Sequence, residues 1–392
     1  MIVVFDTCTQ PEYRRDVHRV LALPRGAVIR YEYKRKLIST DAANKLENFS
    51  PIAPRLPTIL IYGQLRSYQL GDPDEGLPML TWESAVFVPT RSAVIVSVKV
   101  VRANDPKDDV FHFHLQLKGF IDPAVRELEH LIKALQQRNS LPFGDVNTQY
   151  VWVSLLPDDQ QNPITSSLLI SDNDSAWTEV IRVLCSARTQ FSTDIFWRIT
   201  GLTEVRSTQN IDIPLENRRG NRWGQIDWHR DYTVYQRRRY RVEYQTYDPT
   251  HHGRPVKGNA TLALIPTDSE ALVLVPTTPV GLRPNQNSSA PFSIGHSARI
   301  GGSFASLEVE TQITDWNEAR FDPGSRCSLT LHITRSKATV ASALILALFG
   351  CAAAAIAAMK PELHVSRSII CAILVLLCGG GAYLAWTGKI KE

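Results

Sequence analysis

The sequence predicts an α+β fold dominated by strand, followed by a C-terminal hairpin of two transmembrane helices. Three observations carry this expectation. β-branched, aromatic or alternating segments recur through residues 27–117 and again through 232–333. Clear amphipathic helices are few. Two uncharged apolar stretches, 339–359 and 368–386, close the chain with only residues 360–367 between them. About 20 apolar helical residues cross a bilayer's hydrocarbon core, and so short a linker forces two such helices to run antiparallel.

The elements follow in order. Residues 1–5 form a short apolar run, read as a strand. Thr9-Gln10-Pro11-Glu12 has capping-box spacing with proline early in the helix. Tyr13, Val17, Val20 and Leu21 follow at helical spacing until Pro24 and Gly26 end the element. Strands are expected at 27–34, 58–62, 85–88, 93–101 and 110–117. Residues 39–57 read as a helix and a proline-rich loop. Asp122-Pro123 begins an amphipathic helix with Val125, Leu128, Leu131, Ile132 and Leu135 on one stripe. A strand follows at 150–155. A second helix begins near Asp174 with Trp177, Val180, Ile181 and Leu184 inward, and 195–205 returns to strand. Residues 232–333 are almost purely β, with Pro, Gly and Asn turns. The last strand, 328–334, reaches the first apolar span through only 335–338.

The expected domains are an N-terminal α+β domain (1–145), an α/β connecting segment (146–206), a β-rich, sandwich-like, membrane-proximal domain (207–336) and the hairpin (337–392). Ile29-Arg30-Tyr31-Glu32-Tyr33 resembles Tyr240-Arg241-Val242-Glu243-Tyr244, and Val86-Phe87-Val88-Pro89-Thr90 resembles Val273-Leu274-Val275-Pro276-Thr277. An internal duplication giving two related β-rich modules would explain both matches.

Within the hairpin, small residues recur four apart at Ala343/Ala347, Ala347/Cys351, Cys378/Ala382 and Gly381/Ala385. That spacing permits close helix approach, within one hairpin or between the hairpins of a homo-oligomer. Tyr383 and Trp386 sit where amphipathic rings favour the interface. An acidic residue, Asp6, arrives before any run long enough for a signal peptide. Arg335, Lys337, Lys389 and Lys391 flank the hairpin on its outer ends. The expectation is a two-span membrane protein with both termini in the cytoplasm.

Of 43 basic and 39 acidic side chains, five and two lie after Ser336, leaving 38 and 37 before it. So even a balance argues against a general polyanion binder. Cys8, Cys185 and Cys327 are far apart without a C-x-x-C, against a disulfide framework or zinc finger and in keeping with a reducing compartment. No H-E-x-x-H, G-x-S-x-G, Walker or Rossmann glycine pattern occurs, so the chain leans away from enzymes, and no cofactor is expected. His112 and His114, two apart on a strand, have no third metal ligand in view.

The strongest binding signal is residues 218–247. Arg218, Arg219, Arg222, Arg230, Arg237, Arg238, Arg239 and Arg241 stand among Trp223, Trp228, Tyr232, Tyr235, Tyr240 and Tyr244, with no lysine. Guanidinium forks bind phosphates bidentately and stack on rings, and bases stack on aromatics. Arg237, Arg238, Arg239, Arg241, Arg222, Trp223 and Tyr240 are the candidate ligand-binding residues, for an anionic ligand such as a nucleotide or nucleic acid. Contact with acidic lipid heads is a second use of the same chemistry. A plain structural role is a third, because strand alternation puts Arg239, Arg241 and Glu243 on one face and Arg238, Tyr240, Val242 and Tyr244 on the other.

The expected function is a membrane-tethered, cytosol-facing binding or sensing protein. Two alternatives stand beside it. One is a membrane-perturbing oligomeric effector, since the layout resembles membrane-acting effectors of bacterial immune systems in architecture alone. The other is a membrane-bound enzyme with an unrecognised site.

Overall fold

A computed structural model describes residues 2–7, 11–49, 56–70, 79–123, 153–156, 176–186, 196–206, 209–222, 225–236, 238–249, 260–266, 280–281, 285–294, 303–313, 326–334, 345–350 and 352. The expected helix after Asp122 falls almost wholly outside them.

The fold is β-dominated, as the sequence predicts. The first sheet contains β1 (Val3–Thr7), β2 (Val28–Lys34), β3 (Leu56–Leu70), β4 (Met79–Val101), β5 (Val110–Phe120) and β6 (Val153–Leu155), in the order β2-β5-β4-β3-β1-β6. Only β1 and β3 are parallel in it. Their crossover includes α1 (Pro11–Ala22) and α2 (Thr40–Glu47). α2 starts because the Ser39 hydroxyl accepts a bond from the Ala42 N–H, a serine N-cap. A four-stranded antiparallel sheet follows, β14-β11-β7-β8, from β7 (Phe196–Val205), β8 (Asn210–Asp212), β11 (Arg239–Tyr247) and β14 (Asn287–Ser293). The third sheet runs β13-β12-β15-β16-β10-β9. Its strands are β9 (Leu215–Arg222), β10 (Gln225–Tyr235), β12 (Ala260–Pro266), β13 (Val280–Gly281), β15 (Ser303–Ile313) and β16 (Arg326–Thr334).

Alternation builds these sheets. In β2, Ile29, Tyr31 and Tyr33 are buried while Arg30, Glu32 and Lys34 face water. In β11, Tyr240, Val242 and Tyr244 are buried between more exposed neighbours. One buried cluster takes residues from all three sheets, among them Val3, Phe113, Leu202, Val242, Leu307 and Leu331. A second lies under α1 and α3 (Ala176–Ser186), where Trp177, Val180, Ile181 and Leu184 form the expected inward stripe.

The sequence expected two strands, 85–88 and 93–101; the structure has one, β4. Pro89 reads as a break because it has no N–H to give a ladder. Here it sits at a bulge: Ile61 pairs with Pro89 and Leu60 with Arg91, leaving Thr90 extra. The Thr90 hydroxyl donates to the Leu60 carbonyl at 2.9 Å. Arg91, fully buried, also ties α1 to this sheet. Its Nη1 donates to the carbonyls of Val20 (2.7 Å) and Leu23 (2.6 Å), and its Nε to that of Lys118 (2.8 Å). A guanidinium at a helix C-terminus meets unsatisfied carbonyls and the negative end of the dipole.

The two strands matched as a repeat take different places. β2 is an edge strand paired with β5, whereas β11 lies between β7 and β14; residues 273–277 lie outside the described residues. The first and third sheets do share a pattern of strand directions, with one parallel pair next to an edge strand. Their strands enter in different sequence order.

Among the described residues, no helix is long and apolar enough to cross a membrane. Most of the first expected span and all of the second lie outside those residues. The described part of the first, residues 345–350, is helical, and Ile345, Leu348 and Phe349 are 52%, 69% and 64% exposed. Every other large hydrophobic side chain described, Val101 apart, is at least partly covered.

Candidate functional site

The arginine-rich segment divides between the two ends of one strand. β10 pairs with β16 only over Tyr232–Tyr235, in parallel. Upstream, Gln225–Asp231 pairs, among the described residues, only with β9, antiparallel. β9 and the first seven residues of β10 therefore form a two-stranded arm beyond the sheet. Arg219 stands opposite Trp228, Asn217 opposite Arg230, Arg218 opposite His229 and Arg222 opposite Gln225. Glu216 stands opposite Asp231 near the base and Asp227 opposite Gly220 nearer the tip, so carboxylates are interspersed with the arginines along the arm. Trp223, expected in the site, lies outside the described residues.

The other arginines gather where β10 turns into β11. The Gln236 N–H donates to the Thr334 carbonyl at 3.0 Å, fastening this turn to the last residue of β16. Arg238 is held by the Glu204 carboxylate at 2.7 Å and lies 4.9 Å over the Tyr235 ring. Arg206 meets the same Glu204 oxygen at 2.6 Å. Glu204 is only 2% exposed. Burial pushes its carboxyl up, but the two guanidiniums outweigh that and hold it below the usual carboxylate range. Arg239 is exposed and Arg241 half-buried on the opposite face of β11 from Tyr240. Arg237 lies outside the described residues.

Of the candidate ligand-binding residues, Tyr240 lies in the core. It is fully buried, stacks on Phe292 with ring centroids 5.6 Å apart, and accepts a 2.7 Å bond from the Tyr235 N–H at its hydroxyl. Burial raises its phenol above the ordinary value. Its role is to brace the turn from inside.

A cavity of about 280 Å³ is lined by residues of all three sheets, and sequence reasoning missed it. Arg25, Arg91, Phe120, Arg198, Asp212 and Glu243 are among its lining. Arg91 lies 4.3 Å over Phe120, and Arg198 lies 5.8 Å from that ring and 4.8 Å from Trp177. Arg198 Nε donates to Gln245 at 3.0 Å, and Glu243 accepts from the Thr203 hydroxyl at 2.7 Å. These two hydrogen bonds join neighbouring strands of the second sheet, while Arg198 over Phe120 reaches the first; the volume falls just short of a typical small-molecule site. No local pattern marks Arg91 or Arg198, since their partners come from remote parts of the chain.

The histidine pair has protein partners. His112 Nδ1 is 2.6 Å from Arg30 Nη2, and His114 Nδ1 is 2.8 Å from Ser97 Oγ. Among the described residues, no three His, Cys, Asp or Glu side chains group to hold a metal. Neither a protein-family model nor a curated protein matches this chain.

Proposed function

We propose that this protein is a membrane-tethered binding protein whose β9–β10 arm recognises a nucleotide-bearing ligand, with single-stranded nucleic acid as the best fit. The direction of β10 carries this reading. β16 ends at Thr334, five residues before the expected span begins at 339. Five residues of chain reach at most about 18 Å. The exposed Ile345, Leu348 and Phe349 then present a helix surface suited to acyl chains. Because β10 runs parallel to β16, the arm tip lies at the opposite end from this junction. Ten residues separate Tyr235 from Gln225, roughly 33 Å of strand. The arm therefore reaches away from the bilayer, toward partners in solution.

Arginine beside tryptophan suits phosphates and bases together, and Asn217, Asn221 and Gln225 supply further hydrogen-bonding groups.

Two measurements test the reading separately. The full chain should stay in the membrane pellet after alkaline carbonate washing; release into the supernatant would remove the tether. The detergent-purified chain should bind a fluorescent single-stranded oligonucleotide, more weakly as salt rises. Unchanged binding after Arg218, Arg219 and Arg222 are all replaced by alanine would remove the arm as the recognition element.

A further inference from the structure

We propose that Arg206, Arg238 and Arg239 form a basic collar that binds the anionic lipid headgroups of the bilayer holding the apolar helix; this rests on the membrane reading above. Position comes first. The Gln236–Thr334 hydrogen bond places the β10–β11 turn at the very end of the strand that leads to the helix. The Ile294 N–H donates to the Arg238 carbonyl at 3.2 Å, and Val205 pairs with Arg239. Ends of β7, β11 and β14 in the second sheet thus meet beside the turn that is bonded to the last residue of β16.

Charge comes second. Glu204 faces both Arg206 and Arg238 through one oxygen. One buried carboxylate opposes three guanidiniums, so the cluster keeps a net positive charge. Arg206 remains 47% exposed and Arg239 is exposed, so that charge reaches water. Glu204 orients two of the three arginines rather than cancelling them. In sequence, Arg335 and Lys337 add charge to the same stretch of chain.

Shape comes third. The arm tip lies roughly 33 Å along the strand from this end, several times the roughly 8 Å Debye length at physiological salt. The two arginine groups cannot share one surface, so the collar's anion is supplied from the membrane side. Basic residues beside a bilayer are attracted to acidic lipids over about that screening length.

The test uses the full chain in nanodiscs of phosphatidylcholine, with or without phosphatidylglycerol. Amide hydrogen exchange is followed at residues 236–241 and 204–206. Exchange there should slow several-fold in anionic discs alone, with the arm at 217–230 unchanged. High salt or the double variant R206Q/R239Q, which leaves the Arg238–Glu204 pair intact, should remove the slowing. Equal exchange in both discs, in a chain that does enter them, overturns the collar while the tether stands. A chain that never associates with discs overturns both.

Discussion

The two ends of β10 have the same chemistry and opposite surroundings. At the arm, Arg218, Arg219 and Arg222 sit on β9, which among the described residues is paired only with β10. At the turn, Arg206 and Arg238 are fixed by a buried glutamate, beside a tyrosine sealed in the core. The lesson is that arginine density does not define a site. What the arginines can bind depends on which end of a strand holds them and on what that end is attached to.

Several substitutions would break or sharpen this contrast. The largest effect is expected at the arm. Replacing Arg218, Arg219 and Arg222 together with alanine should weaken oligonucleotide binding by roughly 30- to 100-fold and flatten its salt dependence by about three phosphate contacts. Fluorescence anisotropy across a salt series measures both, and membrane retention should not change.

Glu204→Ala attacks the turn. It leaves two arginines without their shared partner; full burial would make that cost 3–5 kcal/mol, but both arginines reach water, so about 2 kcal/mol is expected. Denaturant unfolding measures it. Acid should act through the same residue. Glu204's folded pKa lies below its ordinary, unfolded value. Its stabilisation is therefore present above that pH and disappears as pH falls through the lower, folded value. In Glu204→Gln this acid-side loss should vanish.

Tyr240→Phe removes the bond from the Tyr235 N–H and the longer one (3.5 Å) that its hydroxyl donates to the Tyr235 carbonyl, at a cost of about 1 kcal/mol. Oligonucleotide affinity should be unaltered, because the ring is enclosed. Arg241→Ala should be the mildest. It lies on the solvent side of β11, and stability should move by no more than about 0.5 kcal/mol. A large loss of oligonucleotide binding in Arg241→Ala would move recognition from the arm to β11 and reverse the comparison.

Much of the fold was legible where local pattern decides it. Tyr31 and Tyr33 in β2, and Val242 and Tyr244 in β11, alternate with polar neighbours and are buried as that alternation requires. Trp177 and Leu184 mark α3 by helical spacing. The strand pattern already set Tyr240 on the face of Val242 and Tyr244, and that face is buried. Pairing between distant segments left no such trace. Tyr232 meets Leu331 about 100 residues later, so nothing near Arg218 or Arg238 says which one lies beside the chain's exit to the apolar helix. Arg91 was hidden for the same reason, since its partners are main-chain carbonyls on α1 and β5, and any residue type can offer a carbonyl.

The position of β16 has a mechanical consequence. It is an interior strand, hydrogen-bonded to β15 on one side and β10 on the other, and its C-terminus leads toward the apolar helix. A pull on Thr334 along the strand acts across its hydrogen bonds together, in shear, rather than opening them one at a time from an edge. Tension from the helix would therefore be carried into the sheet as a whole, and the arm at the far end of β10 would follow the body it is attached to instead of being left behind by a peeling strand.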